Sequence, residues 1–249
     1  MNANSRSYFV ATFVAALLAS SPSGAGAAEE GFEPIFDGST LKSWDGNPKL
    51  WRVADGVIVG ETSDESPLES NEFLIWSGEA DDFVLRLEFR IADRGVGNSG
   101  VQYRSKRLED AGRWVVGGYQ ADIERTNKYM GILYEEQGRG ILALRGEEVL
   151  LGGSANGVQR QVVGSVGNAE EIVNDVRAGE WQELEIVAQG NRLEHKINGR
   201  TTVLVVDKDE SNAANSGILA LQLHRGDEMM IEFKNIRLKK IAEGKEASE

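Results

Sequence analysis

Between Asn98 and Gly140, apolar and polar positions alternate in three runs separated by turn residues: NSGVQYRS, GGYQADIE and YMGILYEEQGRG. Side chains two apart on an extended chain share a face. Tyr119, Ala121 and Ile123 therefore point one way, and Gln120, Asp122 and Glu124 the other. Val101 and Tyr103 likewise oppose Gln102 and Arg104. The same period runs through FVLRLEFRI at 83–91, where five apolar residues oppose Val84, Arg86, Glu88 and Arg90. It returns at 181–189, 193–197 and 201–206. In GILALQLH (217–224), Leu219, Leu221 and Leu223 oppose Ala220, Gln222 and His224, and MIEFKNIRL (230–238) closes the pattern. Asp55-Gly56 and Asn198-Gly199, each between β-branched or alternating runs, predict hairpins with left-handed turn residues.

The stretch from 141 to 180 is less regular. Ile141–Leu151 predicts one or two strands turning at Arg145-Gly146-Glu147. Gly152–Gly167, rich in Gly, Ser, Gln and Asn, predicts a long loop, and Ala169–Val176 a short helical turn. About a dozen short strands with no long amphipathic helix predict an all-β sandwich or barrel. Leu85, Leu87, Phe89, Ile123, Leu219, Leu221 and Leu223 should be buried in it. Trp44, Trp51 and Tyr119 are expected in the core, and His195, before a hairpin turn, is expected to be structural. The polar positions, including Glu88, Gln102, Arg104, Gln120, Asp122, Gln222 and His224, would form an outer face. Gln, Asp, Arg and Tyr there suit hydrogen bonding to a polar ligand, and an ordinary wet sheet face is the alternative. Alternation does not say which strands are neighbours.

The N-terminus changes the picture of where the protein works. Arg6, the short apolar run FVATFVAALLA (9–19) and the small residues Ala25-Gly26-Ala27 read as a secretory signal peptide, residues 1–27, cleaved after Ala27. Residues 28–249 are then expected to form a single domain of an exported, periplasmic or extracellular protein. Cysteine is absent, so the core must hold the fold without disulfides. Loss of Arg6 leaves 26 Lys and Arg against 40 acids, a net charge of −14. That balance argues against nucleic acid and anionic membranes as partners but not against neutral sugars. With two histidines and no cysteine there is no zinc spacing. A phosphate-cradling glycine loop, GxSxG and an EF-hand pattern are also absent.

The segments IFDGSTLKSW (35–44), WRVADGVIV (51–59), FVLRLEFR (83–90), NSGVQYR (98–104), GYQADI (118–123), GILYEE (131–136), HKING (195–199), GILALQLHRG (217–226) and IEFKNIRLK (231–239) together resemble the 3-keto-disaccharide hydrolase family from about residue 32 to 240. The GYQADI run with its acidic pair and Gly-Arg-Gly is similar to that of a subset of the family. The resemblance implies a concanavalin-A/laminin-G-like jelly roll, export, and a small glycoside oxidised at its 3-position as substrate.

Such a substrate needs a base near C2, a stabiliser for charge at the C3 oxygen and an acid for the leaving oxygen. His224 is the expected base. Asp122 and Glu136 are candidate acids or bases, and they would act directly in an ordinary glycosidase mechanism. Arg104, with its fixed fork of donors, is a candidate for the enolate oxygen or for an ion pair with Asp122. Gln102, Gln120, Gln222, Glu88 and Tyr134 are candidates for holding sugar hydroxyls or a ring. No cofactor is required by this chemistry, and the Asp and Glu clusters are compatible with a divalent cation such as calcium. A lectin-like carbohydrate-binding module and an adhesive envelope domain remain the alternatives at this point.

Overall fold

A computed structural model describes residues 29–242 except 66, 96, 155, 156 and 227. The expected signal segment, 1–27, lies outside the described residues. From Gly31 onward the described chain forms seventeen strands and one helical turn. They are β1 (Glu33–Pro34), β2 (Trp44–Asp45), β3 (Trp51–Ala54), β4 (Val57–Glu61), β5 (Glu72–Ala80), β6 (Phe83–Ile91), β7 (Asn98–Arg107), β8 (Val116–Glu124) and β9 (Leu133–Glu136). After these come β10 (Gly140–Ala143), β11 (Glu147–Ser154), β12 (Gly157–Ser165), α1 (Ala169–Ile172), β13 (Gln182–Gln189), β14 (Arg192–Ile197), β15 (Arg200–Lys208), β16 (Gly217–Leu223) and β17 (Met230–Lys240).

Two sheets result, in a jelly-roll sandwich. One has the order β12-β11-β15-β14-β13-β6-β17-β4-β3 with β1 added beside β17, and the other runs β10-β9-β8-β7-β16-β5-β2. The three central runs of the sequence are thus neighbours in the second sheet. Both hairpin turns form as expected, with positive φ at Asp55, Gly56, Asn198 and Gly199. Leu85, Leu87, Phe89, Ile123, Leu219, Leu221 and Leu223 are all buried between the sheets, as are Trp44, Trp51 and Tyr119. Leu87 has no exposed surface. Leu87→Ala should therefore cost about 2–5 kcal/mol in a denaturant melt, and a loss below about 1 kcal/mol would place Leu87 outside the packed core.

Two features depart from the sequence expectation. The stretch expected as a loop, 152–167, contains the end of β11 and all of β12, paired from Glu147↔Ser165 to Ser154↔Gly157. β12 is a sheet edge, and Val162 and Val163 are both exposed. With residues 159–163 all exposed, no alternation betrays this stretch as a strand. The second departure lies on the outer side of the second sheet. Phe73, Ile75, Val116 and Ala220 form a small apolar cluster separate from the main core, with Ile218 packed on it. This outer face is therefore only partly wet. Phe73, Leu74 and Ile75 are all buried, which fits a continuous apolar run covered on both sides.

Candidate active site

Asp122 and Gln120 stand on β8, Tyr134 and Glu136 on β9, and Gln222 on β16, all on the outer face of the second sheet. Their inward neighbours Ala121, Leu133 and Leu221 fill the core. Antiparallel pairing sets Gln120 opposite Gln102 on one side and Tyr134 on the other. His224 follows the last residue of β16. These side chains line a cleft of about 470 Å³. Its apolar wall includes Ile141, which pairs with Tyr134 across β9 and β10.

Amides and carboxylates are tied together on the floor. Gln102 Nε2 donates to Gln120 Oε1 at 2.7 Å. Gln120 Nε2 donates to Asp122 Oδ1 at 2.6 Å and, more weakly, to Gln222 Oε1 at 3.4 Å. Gln222 Nε2 donates to Glu136 Oε2 at 3.2 Å, which also accepts from Asn71 Nδ2 at 3.1 Å. Burial, opposed by the Gln120 hydrogen bond and reinforced by the charges of Glu136 and Glu124, pushes Asp122 up to about 7. Burial also raises Glu136 above the usual carboxylate range, against its amide hydrogen bonds and the charge of His224. Two buried carboxyl groups in one cleft, neither in an ion pair among the described residues, have environments suited to proton transfer near neutral pH.

His224 is half-buried. Its Nδ1 lies 2.7 Å from the Arg225 carbonyl oxygen. A carbonyl only accepts, so the proton of the neutral ring belongs on Nδ1 and Nε2 carries the lone pair. His195 is structural, as expected. It has no exposed surface, its Nε2 meets the Tyr103 hydroxyl at 2.9 Å, and burial pushes it down to about 3.

Of the nine expected site residues, six line the cleft: Gln120, Asp122, Tyr134, Glu136, Gln222 and His224. Gln102 lies fully buried beneath it. Two expectations are corrected. Arg104 does not reach the cleft. The β7–β8 register shifts between Tyr103 and Lys106, and Arg104 takes a left-handed φ of 46°. Its guanidinium, with a side chain 1% exposed, ties down Asp82 Oδ1 and the carbonyls of Asp81, Gly190 and Ala214. The expected alternative, an ion pair with Asp122, is not formed either. Glu88 sits on β6 in the other sheet, where it meets Lys234 and Asn235 on a face of ion pairs. The alternation of β6 holds, but it belongs to a different surface.

Sequence reasoning misses Asn71, Asn98, Tyr129 and Arg225, which also line the cleft. Asn71 precedes β5 and holds both Glu136 and, through Oδ1, the Arg225 backbone N–H. No local pattern marks it. Tyr129 and Arg225 lie inside stretches already singled out, and proximity to Tyr134 and His224 is the available signal. Among the described residues, no group of three or more His, Cys, Asp or Glu is arranged to hold a metal ion. No described helix is long and apolar enough to cross a membrane.

The jelly-roll sandwich carries an amide- and carboxylate-lined cleft on one outer face, and the family to which the chain belongs marks it as a carbohydrate-active protein. The chain belongs to the family described as the 3-keto-α-glucoside-1,2-lyase-like domain, which it matches over residues 31–239. It is similar in fold to a Parabacteroides distasonis protein provisionally assigned as a glycosyl hydrolase, at 18% identity and a TM-score of 0.56, with 84% of this chain and 99% of that one covered. It is also similar to the carbohydrate-binding module CBM66 of Bacillus subtilis, at 13% identity and a TM-score of 0.51, covering 80% and 96%. A Bacillus subtilis protein with a galectin-like fold and unknown function gives 8% identity and a TM-score of 0.51, covering 84% and 94%. At such identities these likenesses speak for the fold alone. No curated protein matches the chain.

Proposed function

We propose that this protein cleaves small glycosides that carry a ketone at C3, by removing the C2 proton and expelling the group on C1. The observation that carries the reading is the buried carboxyl of Asp122, hydrogen-bonded to Gln120, in the same cleft as Glu136 and His224, whose Nδ1 is engaged by the Arg225 carbonyl. A C3 ketone acidifies the C2 hydrogen, and a base can take it to leave an enolate. Collapse of the enolate forms a C1–C2 double bond and breaks the C1–O bond, with the departing oxygen taking a proton. Water then adds at C1 and a proton returns to C2, so the net result is hydrolysis; release before hydration would make the outcome a lyase reaction.

His224 Nε2 is the base in this scheme, and Asp122 supplies the proton to the leaving oxygen. Arg225 takes the role expected of Arg104, as a cation on the cleft wall for the enolate oxygen. Tyr134 and Ile141 offer an apolar face to the pyranose ring, and Gln120, Gln222 and Glu136 hold polar groups. The route draws on side chains and water and needs no cofactor. A lectin-like module, the rival reading, has no use for a carboxyl group buried at such cost.

The purified protein should cleave a 3-keto-disaccharide and leave the parent with a 3-hydroxyl intact, as chromatography of the products will show. Without the ketone, C2–H is too weakly acidic for a side chain to remove. Cleavage of both sugars at similar rates would move the reading to direct displacement by Asp122 and Glu136. Binding of both with cleavage of neither would make it a sugar-binding module.

We further propose export through the segment 1–27. N-terminal sequencing of the exported protein should then begin near Ala28, and retention of Met1 would refute it.

A further inference from the structure

We propose that Ser105 and Gln102 are positioning residues that set the direction of the amide chain beneath the cleft and thereby hold the N–H groups of Gln120 and Gln222 toward Asp122 and Glu136. The inference rests on the site reading above and extends it to residues that touch no substrate.

The chain starts at Ser105, whose Oγ donates to Gln102 Oε1 at 2.7 Å. The Tyr103 carbonyl oxygen, at 3.1 Å, is the more distant acceptor for the same hydroxyl proton; with the proton given to Gln102 Oε1, Gln102 turns its Nε2 to Gln120 Oε1, also at 2.7 Å. Gln120 then has only Nε2 left for Asp122 and Gln222, and Gln222 has only Nε2 for Glu136. Every link donates toward a carboxylate. Turned around, the chain would place amide oxygens against two carboxylate oxygens, which only protonated acids tolerate. Ser105, Gln102, Gln120 and Gln222 are all buried, and an unmatched amide group there is costly.

The space is built for this arrangement. A Cβ on Gly100 would lie 2.5 Å from the Gln120 side chain, and one on Gly118 would lie 2.5 Å from Ser105 Oγ. Both neighbours of the chain thus lack side chains where it runs. Sequence alternation makes Gln102 a candidate for the sugar, and its position beneath Gln120 gives it this other task.

Several charged or titratable groups face Asp122 or its cleft. Glu124 lies on its own strand, and Glu136 and Tyr134 on β9. Tyr129 stands before β9, His224 and Arg225 after β16, and Glu69 ahead of β5. Ser105→Ala alters none of these. It removes the hydroxyl that donates to Gln102 Oε1. Gln102→Glu goes further: the carboxylate it introduces can only accept, from Ser105 and from Gln120, so Gln120 must present Oε1 to Asp122.

The test is direct titration of Asp122 by carboxyl-carbon NMR, with its signal assigned by loss in Asp122→Asn. This readout requires no turnover, so its failure is separate from failure of the proposed reaction. Losing a hydrogen bond to the charged form should raise the Asp122 midpoint by about one pH unit in Ser105→Ala, and by more in Gln102→Glu. A midpoint unchanged in Ser105→Ala, including a variant that merely melts earlier, would overturn the proposal by reducing Ser105 to packing. Should Gln102→Glu fail to fold, Ser105→Ala decides alone.

Discussion

Asp122→Asn should lower the rate of 3-keto-glycoside cleavage by about 10²–10⁴-fold, the usual contribution of a positioned general acid, while making the protein more stable in mild alkali. Asparagine keeps the oxygen that accepts from Gln120 and removes the proton the leaving group needs. The stability gain follows from linkage. An unfolded aspartate titrates near ~3.9, whereas Asp122 in the fold is raised to about 7. Between these values the folded chain holds a proton that the unfolded chain has released. Stability from this site is therefore greatest below about pH 4, falls as pH rises toward 7, and is level above it. Replacing the group with a neutral one should recover about 2–4 kcal/mol at pH 8 and almost nothing at pH 4. Thermal melts of both proteins at the two pH values check the sign. For the wild type, activity should decline above about pH 7 as the acid ionises. A variant that keeps its rate within threefold, or loses stability at pH 8, would take Asp122 out of the acid role.

His224→Ala should cost a similar factor, about 10²–10⁴ in kcat, through loss of the base. The ring's Nδ1 is committed to the Arg225 carbonyl, so Nε2 is the nitrogen able to take a proton. Because the side chain is only half-buried beside an open cleft, added imidazole should restore part of the rate. A purely structural histidine would give a variant that melts earlier and does not respond to imidazole. Full activity in His224→Ala would reassign the base, with Glu136 the next group in the cleft.

The contrast between Arg104 and Asp122 shows how far the sequence can be read. Period-two alternation puts both on the polar side of adjacent strands. For Asp122 the strand is regular and the assignment holds. For Arg104 a bulge between Tyr103 and Lys106, with a left-handed residue inside it, breaks the period within a run that still looks regular in letters. Glu88 fails differently: its own strand is perfectly regular, but β6 lies in the other sheet, and pairing between strands far apart in sequence leaves no mark in either one. Asn71, held against Glu136 across 65 positions, is invisible for the same reason. The core is more legible, because residues such as Leu87 and Leu221 must face inward whichever strands flank them. The outer cluster around Phe73 and Ile75 is hidden because a run buried on both faces has no period at all.

The central claim is that the bond breaks through a carbanion at C2. Cleavage of a 3-keto-disaccharide in deuterated water, followed by proton and carbon NMR, tests it most directly. Elimination and hydration predict deuterium at C2 of the released 3-keto sugar, and none in a control sugar lacking the ketone. Cleavage with C2 still carrying its original proton would contradict the account and point to direct displacement at C1.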